Sequence, residues 1–436
     1  MQDIFQVFLI KILQKAAKDV ILKYIVMLSR DESGCSGARR GELPACFGGM
    51  EFFMSDNKIG SGLKFLHCSD IHLDTPYEGL SPEKSDERRR GLRATFMKMM
   101  EYVRNSGINY VLMSGDVFDT RYATNSTAEL LIREFRNCPD TSFIIAPGKH
   151  DAYEDNPIYA SGRLPSNCYV FNSDKLSRFD FDGDKIIFYG WGFVNGSIKE
   201  SPLYDRRVDD VSKINVVVGY ADLDGALDSD SCPIPLSDLK KFGADYYALG
   251  SRHEGGEFVN LDDSLYGYSG ALECTGFDEP GMGGAKLISI RYNNGELAID
   301  AKNMSFGQIV FKTDSIDITG VDTNNEIINL VSRLVSEKKY GAETALRIEL
   351  VGYVDPRFIV PKNLGGDALG LYSFELIDKT MPLYGTEKLK RDMTVKGEVF
   401  RKLLPLLESE DEEERLIAAR AFREALAALE NREIDT

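Results

Sequence analysis

Basic charge is scarce in this sequence. Its 436 residues carry 52 Lys and Arg against 69 Asp and Glu, a formal net charge of −17. That balance excludes a protein that grips nucleic acid over its whole surface, because phosphate contacts need clustered Lys and Arg. It leaves room for a local basic cleft. Paired cysteines are lacking too. The seven cysteines, at positions 35, 46, 68, 138, 168, 232 and 274, include no CxxC pair. An odd, unpatterned set reads as reduced thiols of the cytoplasm and not as a disulfide framework.

Long apolar runs are also missing. Residues 4–29 are rich in apolar side chains, but Lys11, Lys15, Lys18 and Lys23 break them up, short of the ~20 residues a membrane span needs. The opening Met-Gln-Asp has no basic n-region, and no small-residue cleavage site follows. No membrane role is expected. Residues 1–62 read as an appended extension, amphipathic at first, followed by a Gly- and Ser-containing linker. Histidine is the last scarcity. The chain has only four, so the position of each is informative.

What is present has an α/β rhythm. "LKFLHCSD" is a short strand, "DERRRGLRATFMKMMEYVRNSG" a helix closed by Gly107, and "INYVLMSGDVFD" a second strand. "NSTAELLIREFRNCP" is a helix closed by Pro139, and "TSFIIAPGKHD" a third strand. Such alternation predicts parallel βαβ units, whose ligands bind beyond the carboxyl ends of the strands. After about residue 165 strands and tight turns dominate, and Asn-Asn-Gly at 293–295 marks a hairpin. From residue 306 a β-α-β pattern predicts a small second domain to about 385. Residues 386–436 show apolar residues at three- and four-residue spacing and read as helices. The acidic run 408–414 suits the start of the last one.

The predicted strand tips carry the chemistry. They present Asp70-Ile71-His72, Gly115-Asp116, Gly148-Lys149-His150-Asp151, Gly219-Tyr220 and Gly250-Ser251-Arg252-His253. Three of the four histidines fall on tips, while His67, in mid-strand, reads as a packed histidine. Carboxylate oxygen with imidazole nitrogen suits Mn²⁺, Fe²⁺ or Zn²⁺. One such Asp alone would more often be a helix cap than a ligand. Arg88, Arg89, Arg90 and Arg93 crowd one helix start, as a solvated face or a phosphate-contacting patch.

In this order, "FLHCSDIHLD", "SGDVFD" and "PGKHD" resemble the D-x-H, G-D and G-N-H-D blocks of calcineurin-like metallophosphoesterases. The nearer resemblance is to the bacterial DNA repair exonucleases of the SbcD type. "YYALGSRH" is similar to their G-H-x-H block, and "YSGALECTGFDEPGMGGAKLISI" to their glycine-rich strand-turn-strand. "YSFELIDKTMPL" and "RKLLPLLES" resemble their C-terminal region. The resemblance spans roughly residues 63–430. It implies an α/β fold, an α+β sandwich of two packed β-sheets flanked by helices over 63–305. A small α/β capping domain and C-terminal helices complete the chain. It also implies two-metal hydrolysis of phosphodiesters in DNA ends, an SMC-like ATPase partner docked on the C-terminal helices, and a cytoplasmic location. It leaves a homodimer open.

Carried over by position, the first metal takes Asp70, His72, Asp116 and His253, and all four are present. The second shares Asp116 and needs an Asn amide at 149 and imidazoles near 220 and at 251. This chain has Lys149, Tyr220 and Ser251 there. An ammonium has no lone pair to offer a metal. One divalent ion is therefore expected instead of two, with the Lys149 ammonium either standing in for the missing charge or pointing to solvent. His150 follows as the family's acid or transition-state donor, held by Asp151 or Asp119. Three readings stay open: a one-metal phosphoesterase with Lys149 as electrostatic clamp, a non-catalytic subunit, and a two-metal nuclease.

Overall fold

The computed structural model describes residues 62–429 except 78–79, 155, 226–230, 294–295, 356, 359, 361–368 and 384. The N-terminal extension, apart from Gly62, and the tip of the expected Asn-Asn-Gly hairpin lie outside the described residues. Among the described residues, no helix is long and apolar enough to cross a membrane.

Short Val-, Ile- and aromatic-rich runs build two six-stranded sheets. In the first, β1 (Leu63–Cys68), β2 (Tyr110–Met113), β3 (Ser142–Ile145) and β4 (Cys168–Val170) are parallel neighbours in that order. The second begins with β5 (Ser177–Phe181), β6 (Ile186–Gly190) and β7 (Ile214–Tyr220). A two-residue ladder comes next, β8 (Asp222–Leu223) with β9 (Pro233–Ile234). Then come β10 (Tyr246–Gly250), β11 (Val259–Leu261) and β12 (Ser264–Tyr268), giving the order β11-β12-β10-β7-β6-β5. The hairpin β13 (Gly284–Asn293) and β14 (Glu296–Ser305) returns to the first sheet, with β13 antiparallel to β1.

The period-two alternation of each strand sorts its side chains between layers. Phe65, Leu112 and Ile144 of the first sheet meet Phe188, Val216, Val218 and Ala248 of the second in one buried cluster. Their neighbours Leu66, Val111 and Phe143 face the other way, against Leu92, Phe96 and Met99 of α1 (Pro82–Asn105) and Leu131 and Phe135 of α2 (Asn125–Arg136). On the far side, Tyr189, Val217 and Leu249 pack with Leu239 and Phe242 of α3 (Leu236–Phe242). The result is the two-sheet sandwich with helices outside. Helix α1 starts at Ser81, whose side chain accepts the Lys84 N–H, with Pro82 in its first turn. Gly107, at φ +62°, lies just past its end.

Beyond the sandwich, β15 (Val310–Asp317), α4 (Asn324–Lys338), β16 (Thr344–Val351) and β18 (Ser373–Asp378) form a three-stranded parallel sheet under one helix. The pair β17 (Tyr353–Val354) and β19 (Met381–Pro382) flanks it. Ile327, Val331 and Val335 of α4 pack on Leu346, Ile348 and Leu350. The helical spacing from 388 to 407 is interrupted. Asp392 accepts the Thr394 N–H at 2.7 Å, and this turn separates α5 (Thr386–Arg391) from α6 (Val395–Leu407). Asp411 accepts the Glu413 and Glu414 N–H groups at 2.8 and 3.2 Å and so caps α7 (Glu412–Leu429).

The arginines of α1 do not form an open patch. Arg88 is buried, with its guanidinium on the Cys274 carbonyl and 3.7 Å from Glu273. Arg93 is bonded to Asp74 at 2.6 Å and to Thr127 at 2.7 Å. Arg89 pairs with Asp86, and Arg90 is exposed.

Candidate metal centre

Parallel strands put their carboxyl ends at one edge, so the loops after β1 and β2 meet there. Their pairing continues past the strands: Asp70 N–H donates to Gly115 O at 3.0 Å, and His72 N–H to Asp116 O at 2.9 Å. The second sheet brings the ends of β7 and β10 to the same edge. His67 ties the two sheets together beneath it. Its Nε2–H lies 3.2 Å from the Leu249 carbonyl and 2.8 Å from Ser114 Oγ, and its Nδ1 is 2.8 Å from the Tyr246 hydroxyl. A carbonyl only accepts, so Nε2 carries the proton and Nδ1 accepts from Tyr246. The tips themselves are strained. Asp70, His72, Asp116 and Ser251 have φ of 47°, 51°, 52° and 107°. Side chains rarely adopt this region, at about 1–3 kcal/mol each, and it clusters at functional sites.

Asp70, His72 and His253 bring ligand atoms within 4.8 Å of one another above that edge, and Asp116 adjoins them at His72. His72 Nε2 is 3.2 Å from His253 Nε2 and 3.8 Å from Asp116 Oδ2, and His253 Nε2 is 3.7 Å from Asp70 Oδ1. Asp70 Oδ1 and Asp116 Oδ2 are buried with no hydrogen-bond partner. Each carboxylate is fixed through its other oxygen. Ser251 N–H and the Ser69 hydroxyl donate to Asp70 Oδ2, and His150 N–H donates to Asp116 Oδ1 at 2.8 Å. Buried carboxylate oxygens left bare cost several kcal/mol unless a cation or proton meets them. The Asp70 oxygen and the two imidazole nitrogens suit a divalent ion of the Mn, Fe or Zn type, with the bare Asp116 oxygen alongside.

Both imidazoles are held from behind. His72 Nδ1 is bonded to Asp119 Oδ1 at 3.1 Å, and His253 Nδ1 to Glu279 Oε1 at 2.6 Å. Asp119 also takes His150 Nδ1 at 3.0 Å, so one carboxylate serves two rings, which meet edge-on at 4.9 Å. The charges reflect this wiring. Burial raises the Asp70 and Asp116 carboxyls above their usual range. Burial would lower His72, but the Asp119 hydrogen bond and the nearby carboxylates prevail and lift it to about 9. The Asp119 bond raises His150, and the Glu279 bond raises His253. A bound cation would compete with those protons and favour the ionised carboxylates.

The three positions of the second site differ from one another. Ser251 spends its hydroxyl on the Ala221 carbonyl at 2.7 Å. Tyr220 is buried, and its ring packs over both glycine turns: a Cβ added at Gly115 or Gly148 would come within 2.5 or 2.9 Å of Tyr220 Cδ2. Burial, then the charges of Asp116 and Asp70, pushes its phenol far above the usual range. Lys149 lies half-buried on the loop between Gly148 and His150.

Of the two carboxylates expected to hold His150, Asp151 binds elsewhere. It is wholly buried, accepts the N–H groups of Gly148, Asp116 and Val117 at 2.6, 3.1 and 2.9 Å, and accepts the Tyr159 hydroxyl at 2.7 Å. The carboxylate on His150 is Asp119. Asp151 ties the second and third tip loops together. Glu279 is not legible in the sequence, since nothing distinguishes it from Asp278 in the glycine-rich segment.

Residues 63–254, which contain every group of this constellation except Glu279, match the calcineurin-like phosphoesterase family. The chain carries a calcineurin-like phosphoesterase domain. Among curated relatives, it is 24% identical over 303 residues to the uncharacterized metallophosphoesterase YhaO of Bacillus subtilis, covering 66% of this chain and 72% of that protein. It is 21% identical over 232 residues to the DNA double-strand break repair protein Mre11 of Methanopyrus kandleri, covering half of each. Among solved structures, a dimetal phosphatase from Danio rerio aligns at 11% identity with a TM-score of 0.36, over 55% of this chain and 96% of that one.

Proposed function

We propose that this phosphoesterase domain hydrolyses phosphodiester bonds at DNA ends around a single divalent ion held by Asp70, His72, Asp116 and His253. The observation that carries the reading is the convergence of a bare buried Asp70 oxygen and two imidazole nitrogens, with a bare Asp116 oxygen alongside, next to the His150–Asp119 pair. A bound ion would polarise a phosphoryl oxygen and make a water more acidic. With Nδ1 on Asp119, His150 keeps Nε2 outward on an exposed ring. Its raised pKa favours the protonated form, which suits donation to a phosphate oxygen or leaving group. The Lys149 ammonium on the same loop would supply positive charge that a second ion brings elsewhere. Lys149→Ala then lowers the melting temperature of the metal-free chain, and a rise would refute that role.

DNA ends as substrate rest on the names of the archaeal Mre11 relatives. An SMC-like ATPase partner on α5–α7, a homodimer and a cytoplasmic location belong to the same proposal. The free thiols of Cys68, Cys138, Cys168, Cys232 and Cys274 support a reducing compartment.

A second reading, a non-catalytic subunit with one ion or none, is favoured by Tyr220 and Ser251, whose side chains are committed to packing and to a carbonyl. Counting Mn²⁺ per chain and assaying bis(p-nitrophenyl) phosphate separates the two. One ion with turnover supports the proposal, one ion or none without turnover the second reading, and two ions with brisk turnover sink both. Lys149→Asn, Tyr220→His and Ser251→His combined should raise the count from one ion to two.

A further inference from the structure

The glycine-rich segment between β12 and β13 touches the metal centre at one end and the small α/β domain at the other. We propose that Glu279 is a positioning residue for His253, and that the loop 273–281 makes this positioning depend on how the small domain is seated. The inference rests on the metal reading above.

Glu279 is only 8% exposed and is held at both oxygens. Oε1 accepts His253 Nδ1–H at 2.6 Å, and Oε2 accepts the Thr275 N–H at 2.7 Å. That bond fixes the tautomer and the ring plane together, leaving Nε2 as the lone-pair nitrogen. Nε2 is the atom that faces His72 Nε2 and Asp70 Oδ1. Asp119 does the same for His72, but Asp119 belongs to the sandwich. Glu279 stands on a loop clamped by the neighbouring domain. Gly281 exchanges two backbone hydrogen bonds with Phe311 of β15, at 3.1 and 2.9 Å. Phe277 meets the Phe311 ring edge-on at 5.3 Å, and the Arg347 guanidinium of β16 lies over Phe277 at 4.2 Å. At the other end of the loop, buried Glu273 accepts the N–H groups of Gln308 and Ile309, just before β15, at 3.0 and 3.2 Å. A shift of the small domain therefore moves the carboxylate that aims His253.

The test uses the full chain and metal alone. Mn²⁺ affinity is measured by calorimetry, and Co²⁺ coordination by visible absorption, with melting curves for every variant. Glu279→Gln should weaken Mn²⁺ binding about 10–100-fold and change the Co²⁺ spectrum, with Glu279→Asp in between. Phe277→Ala, which touches no ligand, should weaken Mn²⁺ binding by roughly threefold or more, since supporting-shell changes reach the metal through its ligands. Wild-type affinity and spectrum in Glu279→Gln would overturn the role of Glu279. Unchanged affinity in a Phe277→Ala chain with a lowered melting temperature would overturn the link to the small domain. A wild-type chain that binds neither ion overturns both this inference and the metal reading. Tight binding in a wild-type chain that does not turn over bis(p-nitrophenyl) phosphate overturns only the phosphodiesterase reading.

Discussion

Acid should loosen the floor of the candidate metal centre through His67. Burial, then the positive charge of Lys286, lowers this imidazole from 6.5 to about 3, while the Leu249 carbonyl pulls weakly the other way. The unfolded chain takes up a proton as pH falls through 6.5, and the folded chain does not until about 3. Stability from this group is thus whole above 6.5 and drains away as pH falls, by about 1.4 kcal/mol per unit, levelling near 3. Between pH 7 and pH 5 that is about 2 kcal/mol. Guanidinium unfolding of the metal-free chain at both pH values, beside His67→Gln, isolates the contribution, because every other titrating group is shared. Glutamine destabilises in its own right at pH 7, so only the difference in pH slope counts. The wild type should lose about 2 kcal/mol more than the variant. Equal losses would show that His67 takes up a proton in the folded chain as readily as in the unfolded one, and would refute a buried imidazole held neutral at pH 5.

Other expectations concern the site and its surroundings. Asp119→Asn releases His150 and His72 together. Turnover of a generic phosphodiester should fall about 10²–10⁴-fold, and the alkaline limb of its pH profile should move to lower pH as His150 relaxes toward its ordinary value. Glu273→Ala strands the Arg88 guanidinium in a buried site and should cost about 3–5 kcal/mol in chemical unfolding. Mn²⁺ at a hundredfold excess over its Kd should stabilise the chain by about 2.7 kcal/mol; a chelator should abolish this, and Asp116→Asn should never show it.

Much of the sandwich is legible because its signals are local. Short continuous apolar runs in "YVLM" and "SFII", with a helix between them, fix parallel neighbours and therefore which loops share an edge. The side chains that aim the ligands are harder to read. Asp151 is next to His150 in sequence and Asp119 lies in an earlier loop, and only the closing of Asp151 onto the Asp116 and Val117 amides assigns His150 to Asp119. Glu279 reaches His253 across 26 residues that include β11 and β12, from a loop with no regular period. The arginines of α1 look like a surface charge cluster because sequence spacing shows a helical face but not what is packed upon it. Arg88 and Arg93 turn inward to Glu273 and Asp74, partners contributed by distant loops. The break at 392–394 depends on one Asp side chain competing with the helix for a backbone N–H, too small an effect to alter the apolar spacing.

The buried meeting of Arg88, Glu273 and Thr95 with the Gln308 and Ile309 amides has a practical meaning for the layout of the chain. A cut at residue 305, between the sandwich and the small α/β domain, looks harmless on a domain diagram. It would remove two amide donors from Glu273 and the Phe311 and Arg347 contacts from Phe277. Through these contacts the small α/β domain is also part of the wall of the sandwich before it.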